Sequence, residues 1–550
     1  MAERILGDQF KFIRHVIELR PIGRRTVVLG RGVVLGFGTA ARGPAFEPYF
    51  VAQGQQRLVR RTYYSGKLAD DLETALDQGC SIAGGIRILG DGYSTATLDV
   101  NDSQTPGNKV GTFTANGPGA AGNAVSITIT QGDITNPIQE TFPGDGGATY
   151  YLLRDDIAEA TYNRVKVGGT QYKIIYEGIP DEGEVLLDKT KGSITFNENQ
   201  KPTESQLIDV RYRHNTRKVI IQDAIAGGAP LVFNNIISQE MLYARLRDNW
   251  VATYTPAVGE THLPKVMPAT PLSGGSDGDP ITVDDWEKAF QIALSALPEG
   301  IIPSAVFTTD HSLDETNQLE IIPLLSAYLN NMEKRITPCQ GFVSLPPTMS
   351  SAEMIEYKRG YDDMWLTLIG NGYSSTERNL APARAGQEAT LPLGTSPGEI
   401  GNSFKGVDGL LFQFNEVDQE VLTYNNVEVL IKKDGVRPYV GVTSDPEESF
   451  FRTVDVRTIA WCCILADRVV NQFKNARRTL TNLNRLQNSI YVLYNQLLED
   501  KVLDDFSVDV TPNESDHNAV DLHIMLQPVG HMERFYTKMD VGYWSDKIAA

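Results

Sequence analysis

The clearest pattern of apolar and polar positions lies near the end of the chain. Apolar side chains recur there every three or four residues, the spacing of one helix face, in two separate segments. The first set is Ile459, Cys462, Ala466, Val469 and Phe473, and the second is Leu483, Leu486, Ile490, Leu493 and Leu497. Alternating apolar positions, which are typical of strands, follow at 506–510, 520–526 and 535–541. The pattern predicts two helices followed by three strands.

Both patterns occur together in residues 218–430, as in an α/β domain. Helical spacing and short apolar runs alternate along this region. The predicted helices are 283–297 and 321–332, and the predicted buried strands are 304–309 and 341–345. Residues 376–405 are rich in Gly, Pro, Ala and Thr and follow neither pattern, so we expect a long surface excursion there.

Short strands separated by turn residues dominate residues 96–217. Alternation of apolar and polar positions is the evidence for these strands. The predicted strands include 125–129, 165–167, 185–187, 194–196 and 207–212. Strands this short and this closely spaced indicate a β-sandwich-like domain that is inserted into the chain.

The segments before this insertion carry weaker signals. Apolar positions within 68–77 have helical spacing, and Gly79 provides a stop. The apolar run at 26–38, which ends in glycines, predicts one or two strands. Residues 1–25 include Pro21 and Gly23, which interrupt regular structure, so we expect an extended arm.

Composition adds three constraints. A chain of 550 residues with 41% apolar and 22% charged residues is typical of a folded, multidomain protein. No apolar run approaches the roughly 18 residues of a membrane span, and the first residues lack the layout of a secretion signal. The four cysteines are too few for a disulfide scaffold and favour a reducing compartment. They are Cys80, Cys339, Cys462 and Cys463.

The charge is unevenly distributed along the chain. The net charge of −19 argues against nucleic acid as the main partner, because nucleic-acid binding needs a basic surface. Residues 1–67 nevertheless contain twelve Lys and Arg against four Asp and Glu. A basic arm on an acidic body fits copies of one chain that bind head to tail, with chance and solubility as the simpler alternative.

Two glycine-rich stretches resemble phosphate-binding motifs only in part. Residues 36–41 follow a predicted strand like a dinucleotide fingerprint, but Pro44 and Pro48 stand where that fingerprint needs a long helix. Residues 273–279 lack the Gly-Lys-Ser/Thr ending that places an ammonium group on the phosphates. A turn is the better interpretation of the second stretch, and we expect no bound nucleotide.

The remaining reactive residue types do not form a recognisable site. Residues 309–312 place Thr, Asp, His and Ser side by side, whereas a triad is assembled from distant segments, so a turn or helix cap is favoured. No pair among the seven histidines has metal-ligand spacing. Cys462 and Cys463 lie in an apolar helix and are best explained as small buried hydrophobes. We therefore predict no catalytic residue, no cofactor, no metal and no enzymatic activity.

Several glycine-containing motifs nevertheless occur in the order found in one known family. These are Val34-Leu-Gly-Phe-Gly-Thr-Ala-Ala-Arg-Gly-Pro-Ala-Phe-Glu-Pro, the glycine-led strand from Gly79 to Arg87, Gly119-Ala-Ala-Gly-Asn before the strand at 125–129, and Leu272-Ser-Gly-Gly-Ser-Asp-Gly before a helix containing Trp286. Together with the two helices and three strands at 454–541, they resemble the contractile tail sheath proteins of bacteriophages, the myovirus-type tail sheath family.

The resemblance implies a multidomain fold of mixed α/β and α+β class. A discontinuous core domain would combine residues 26–95 with residues 431–550, the latter ending in a linking strand, and residues 1–25 would be an N-terminal linking arm. Residues 96–217 would form an inserted, β-sandwich-like outer domain. Residues 218–430 would form an α/β middle domain of subtilisin-like shape without protease activity.

The resemblance also implies a structural function. Subunits of this family polymerise as stacked hexameric rings in a helical array around a tail tube, and they contract to drive the tube through the host envelope for genome delivery. The implied partners are further copies of the chain, the tail tube protein, and baseplate and tail terminator proteins, with no nucleic acid and no membrane insertion. The implied location is the virion tail, after assembly in the host cytoplasm.

Two groups of residues are implicated in assembly by the resemblance. In the family, strands from both chain ends complete a sheet in neighbouring subunits. The candidate linking residues here are Lys11, Phe12, Ile13, Val16, Ile17, Phe535, Thr537, Met539 and Val541. The residues Arg468, Lys474, Arg477 and Arg478 form a basic patch that we expect to face an acidic tube, with a solvated helix end as the alternative.

Two other functions stay open at this point. The first is the sheath of a phage-tail-like contractile injection or secretion apparatus, which the sequence does not separate from a phage sheath. The second, from a different class, is a multidomain secreted hydrolase or adhesin, for which the chain shows neither a site nor a secretion signal.

Overall fold

The computed structural model describes residues 32–102, 107–133, 137–153, 157–189, 191–259, 262–298, 301–309, 315–447, 450–514 and 519–530. The helices are α1 (Arg57–Tyr63), α2 (Lys67–Asp77), α3 (Gln239–Leu246), α4 (Val283–Ala296), α5 (Glu315–Lys334), α6 (Ser351–Lys358), α7 (Ala381–Thr390), α8 (Glu416–Tyr424), α9 (Thr453–Phe473) and α10 (Leu480–Glu499). Among these residues, no helix is both long enough and apolar enough to cross a membrane.

The strands of the first half of the chain are β1 (Val33–Gly38), β2 (Pro48–Ala52), β3 (Ile82–Arg87), β4 (Thr97–Asn101), β5 (Lys109–Ala115), β6 (Val125–Gln131), β7 (Ile138–Pro143), β8 (Thr149–Tyr151), β9 (Arg164–Val167), β10 (Thr170–Ile175), β11 (Glu184–Asp188), β12 (Ser193–Phe196), β13 (Leu207–Tyr212), β14 (Arg217–Asp223), β15 (Leu231–Ile236), β16 (Ala252–Pro256) and β17 (Met267–Pro271). Those of the second half are β18 (Ala305–Thr308), β19 (Gln340–Ser344), β20 (Leu366–Ile369), β21 (Leu430–Lys432), β22 (Val436–Pro438), β23 (Leu503–Pro512) and β24 (Val520–Pro528).

Six strands form the central sheet, in the order β2-β3-β1-β18-β19-β20. Neighbouring strands are parallel except at one edge, where β2 pairs antiparallel with β3. Strands β1, β18, β19 and β20 are buried along their whole length, because helices cover both faces of the sheet. Helices α2 and α7 pack on one face, and α4 and α5 pack on the other. We call this sheet and its helices the body.

Residues 376–405 are not the surface excursion that their composition predicts. They contain α7, in which every residue from Ala381 to Ala389 is buried. The small side chains of α7 let it approach α2 closely, and a Cβ at Gly386 would lie 2.6 Å from the carbonyl oxygen of Ala75. The Ala- and Gly-rich composition therefore serves tight helix packing, and the sequence prediction was wrong here.

Two smaller sheets share one core between residues 97 and 271. Their strand orders are β15-β14-β6-β17 and β16-β5-β4. Inward-facing side chains from both sheets, including Phe113, Ile127 and Tyr254, belong to a single buried cluster, as in a sandwich of two sheets. We call this pair of sheets the sandwich.

A further β unit lies between β6 and β14 in the chain, and we call it the nested unit (residues 137–216). Its strand order is β7-β13-β9-β10-β11-β12-β8. Strands β7 and β8 are consecutive in the chain but lie at opposite edges, and the rings of Phe142 and Tyr150 stack with centroids 5.7 Å apart. The sheet therefore curls until its two edges meet.

The last described elements build a separate core. The second half of α9, together with α10 and the hairpin β23–β24, encloses a cluster that includes Cys462, Leu486, Ile490 and Val508. We call residues 461–530 the helix–hairpin unit. The first turns of α9 pack into the body instead, where Val456 is fully buried, so one helix connects the two regions.

Most of the predicted elements are confirmed. The helices expected at 68–77, 283–297 and 321–332 and near the chain end correspond to α2, α4, α5, α9 and α10. The predicted strands correspond to β1, β6, β9, β11, β12, β13, β18, β19, β23 and β24. The third terminal strand at 535–541 and the arm at 1–25 lie outside the described residues.

The sheets combine distant parts of the chain. The central sheet joins strands from residues 33–87 with strands from 305–369, and the sandwich contains strands from both sides of position 217. The division into domains at 95/96, 217/218 and 430/431 stays a prediction.

Candidate functional site

The connection between α9 and α10 brings three of the four predicted basic residues together at the surface. Lys474, Arg477 and Arg478 follow the end of α9 and are all exposed. Asn475 adopts a φ of 67°, which turns the chain, and the hydroxyl oxygen of Thr479 accepts a hydrogen bond from a backbone N–H in the first turn of α10. Local cap and turn residues thus position this basic group at the tip of the helix–hairpin unit.

Two of the four predicted residues are partly engaged within the chain. Arg468 is half-buried on α9, and burial lowers the pKa of its guanidinium. Arg478 Nη1 donates to the carbonyl oxygens of Asn513 and Ala519, each at 3.2 Å, and so ties the tip of the hairpin to the helix connection. The described part of the chain supplies no acidic partner for Lys474 or Arg477. These two side chains are therefore available to a partner.

The hairpin β23–β24 is a two-stranded sheet whose inner face is incompletely covered. Val508 and Val510 of β23 are buried against the helices, whereas Leu522, Ile524 and Leu526 of β24 are only half-buried. Within the described residues, each strand pairs along one edge only, so the outer edges present unpaired N–H and C=O groups. Such a sheet can accept a further strand on either side.

The residues predicted to supply those strands lie outside the described residues. They are Lys11, Phe12, Ile13, Val16, Ile17, Phe535, Thr537, Met539 and Val541.

The glycine motifs of the sequence meet around Arg87, which is fully buried at the end of β3. Its guanidinium donates to the carbonyl oxygens of Gly43 at 2.9 Å and Pro118 at 2.7 Å. It also lies 3.6 Å from the carboxylate of Asp277, in the turn at 273–279. Burial lowers the pKa of Arg87 to about 10, and Asp277 opposes that shift. One arginine thus joins a loop of the central sheet to two loops of the sandwich.

These motifs therefore have a structural role in place of a phosphate-binding one. Asn123 exchanges two hydrogen bonds with the backbone of Gly275, at 2.8 and 2.9 Å, which holds the turn at 273–279 against the sandwich. In β1, a Cβ at Gly36 would collide with the ring of Phe307, and one at Gly38 would collide with Thr309. These glycines are required by close packing between strands.

A buried charge network, which sequence analysis missed, connects α7 with α9. Arg384 Nε lies 2.8 Å from Glu428 Oε1, and Arg384 Nη1 lies 2.6 Å from Glu388 Oε2. Arg457 Nη1, on α9, lies 2.5 Å from Glu388 Oε1. Burial raises the pKa of Glu428, and the nearby charge of Arg384 acts in the opposite direction. Burial lowers the pKa of Arg457. The only local signal was the spacing of four residues between Arg384 and Glu388.

The crevice where a sheet of this topology binds ligands is occupied by the chain itself. The strand that follows β1 in the chain lies toward one edge of the sheet, and the strand that follows β18 lies toward the other. In sheets with such a reversal, ligands bind at the carboxyl ends of the two strands where the direction changes. Asn379 lies there, donating to the carbonyl oxygen of Thr308 at 3.2 Å and accepting from the hydroxyl of Ser344 at 2.7 Å. Residues 310–312 lie outside the described part, which contains no cluster of three or more metal-ligating side chains.

Two solved structures resemble this chain over nearly its whole length. One is a sheath tail protein from Listeria innocua, with 13% identity and a TM-score of 0.58, covering 96% of this chain and 97% of that chain. The other is a sheath tail protein from Desulfitobacterium hafniense, with 13% identity and a TM-score of 0.54, covering 93% and 97%. No family model and no curated protein matches the sequence. The chain therefore has the fold of these two sheath tail proteins.

Proposed function

We propose that this chain is the structural, non-enzymatic sheath subunit of a contractile tail. It polymerises as stacked hexameric rings around a tail tube and contracts to drive the tube through a host envelope for genome delivery. The observation that carries this proposal is the shared fold with a sheath tail protein over 96% of the chain. The uneven charge supports it as well, because a helical array needs one surface of a copy to fit a different surface of the next.

The hairpin β23–β24 is the proposed site of strand exchange between copies. Its unpaired edges and the half-buried Leu522, Ile524 and Leu526 leave room for strands from neighbouring subunits. The donor strands are residues 11–17 of one neighbour and residues 535–541 of another. Main-chain hydrogen bonds of this kind persist when folded units rotate, as contraction requires.

The basic tip of the helix–hairpin unit is the proposed contact with the tube. Of its predicted members, Lys474 and Arg477 carry the contact, because Arg478 is bonded to the hairpin and Arg468 is half-buried. An acidic tube surface is the matching partner by charge.

The remaining assignments, which concern further partners, location and the shape of the middle region, follow from the resemblance to the tail sheath family and are also proposals. Baseplate and tail terminator proteins bind the two ends of the array, the assembled protein lies in a virion tail, and the middle region has a subtilisin-like shape. The sheath of a contractile injection or secretion apparatus is the second candidate, because the shared fold supports both.

Electron microscopy of the purified full chain tests the proposed function. Hollow, striated tubes of polymerised sheath are the expected result, since sheath subunits assemble by contacts among themselves. Dispersed monomers that hydrolyse a substrate would overturn the proposal and favour the enzyme alternative.

Charge reversal tests the tube contact separately. The variant Lys474→Glu/Arg477→Glu should keep the thermal stability of the wild-type chain but assemble poorly on co-expressed tubes. Lys191→Glu/Lys265→Glu is the matched control, because both lysines are exposed on the β units. Equal assembly of the two variants on tubes would contradict the tube contact.

A further inference from the structure

Helix α8 exposes a stripe of apolar side chains. Val417, Val421 and Tyr424 are spaced four and three residues apart, which places them on one face of the helix. Their exposed fractions are 70%, 43% and 74%. The opposite face holds Leu422, which is fully buried in the core of the body. Because soluble proteins seldom leave a contiguous apolar helix face uncovered, this stripe indicates a contact surface.

The segment of the chain that carries this stripe is acidic. No Lys or Arg occurs anywhere in residues 406–431. Asp408, Glu416, Asp418 and Glu420 lie in the same segment, and Glu416 and Glu420 are exposed beside the stripe. A partner that combines apolar side chains with basic ones therefore fits this segment.

The exposed side of α10 has the complementary composition. The charged residues of α10 are Arg485 and, at its last position, Glu499, and no Asp or Glu occurs in residues 468–498. Leu480, Tyr491 and Val492 are exposed apolar residues of α10, and Arg485 is exposed on the same helix. The amino terminus of α10 adds the positive end of the helix dipole near Leu480.

We propose that the acidic stripe of α8 in one subunit binds the exposed side of α10 in a second copy of the chain. Both surfaces are exposed in the single chain, so neither covers the other there. The contact is heterologous, since each copy offers α8 to one neighbour and α10 to another, and it therefore repeats along an array. This inference rests on the proposed function, and it leaves the tip residues Lys474 and Arg477 for the tube.

Charge reversal and its rescue test the pairing in the full-length chain. Glu416→Lys/Glu420→Lys and Arg485→Glu should each raise the concentration needed for polymerisation by about tenfold or more, because like charges then face each other. A chain that carries all three substitutions should polymerise more readily than either variant. An equimolar mixture of the two variants should also recover, because each then meets a complementary surface.

Controls separate this inference from loss of folding and from the proposed function. Glu182→Lys changes an exposed glutamate of the nested unit and should polymerise like the wild type. If a reversal variant has a lower melting temperature than the wild type, Val421→Gln and Val492→Gln are tested in its place. We expect the same loss of polymerisation from them. Three outcomes would each overturn the pairing. The reversal variants could polymerise normally, they could lose polymerisation without recovering it in the triple variant or the mixture, or Arg485→Glu could affect tube binding alone. Failure of the wild-type chain to polymerise would overturn the proposed function together with it.

Discussion

The body and the helix–hairpin unit differ in how completely they bury their sheets. In the body, β1, β18, β19 and β20 are buried from end to end between two layers of helices. In the helix–hairpin unit, two strands have helices on one face only, and β24 contains no fully buried residue. The body thus buries the apolar side chains of its own sheet, whereas the described part of the helix–hairpin unit leaves apolar side chains of β24 only half-buried.

The two regions also use charge differently. Arg384 is buried in the body and pairs with two buried carboxylates, those of Glu388 and Glu428. Lys474 and Arg477 are exposed at the tip of the helix–hairpin unit. Charges in the first region maintain the fold, because an unpaired buried charge is strongly destabilising. Charges in the second region contribute little to folding and are free to act in binding.

The largest expected effect is in the body. Glu428→Ala removes the carboxylate that faces Arg384 and leaves a buried guanidinium short of one partner. We expect the free energy of unfolding to fall by about 3–5 kcal/mol, measured by denaturant titration. Glu182→Ala, at an exposed position, is the control and should change little. A loss of less than 1 kcal/mol for Glu428→Ala would show that the network does not stabilise the body.

A smaller and more local effect is expected in the helix–hairpin unit. Ile490→Ala opens a cavity at a fully buried position of α10. It should destabilise this unit by about 2–4 kcal/mol, because buried methylene groups are lost without refilling. Hydrogen exchange should quicken for the amides of α10 and β23 and stay unchanged for β1 and β18. An equal increase in all four elements would mean that the two regions unfold as one.

The smallest effect separates two neighbouring arginines. Arg478→Ala loses the hydrogen bonds to Asn513 and Ala519 and should destabilise the hairpin by about 1 kcal/mol. Arg477→Ala should leave the melting temperature unchanged, because its guanidinium has no acidic partner in the described chain. Thermal melts of the two variants compare them directly. The reverse order of stability would contradict the division between a structural and a binding arginine.

The sequence predicts those elements whose pattern is local. Helix α4 is an example, because its apolar spacing follows a capping box formed by Thr282 and Asp285. Helix α7 was missed because Ala383, Gly386 and their neighbours give no periodic contrast when every side of the helix is buried. The sandwich was hard to predict for a different reason, since β6 pairs with β14 and β17, which follow the whole nested unit in the chain.

The candidate site was predictable to a similar extent. Lys474, Arg477 and Arg478 are close in sequence, so their proximity followed from the predicted helix ends. The hydrogen bonds of Arg478 to the hairpin were not predictable from the sequence. Their acceptors are backbone carbonyl groups, which every residue has, so no particular residue type indicates them. The network around Arg384 was also missed, since Glu428 and Arg457 are brought to it only by the tertiary fold.

The point where the nested unit joins the sandwich has a consequence for modularity. The backbone N–H of Gly132 donates to the carbonyl oxygen of Thr216 at 2.9 Å, so the chain departs and returns at neighbouring positions. Because the two ends of the nested unit lie side by side, its presence does not require the neighbouring strands of the sandwich to move apart. The unit can therefore be deleted, exchanged or replaced by a foreign domain while the surrounding strands keep their register. If the chain polymerises as proposed, a domain attached at this position is repeated once per subunit along the array.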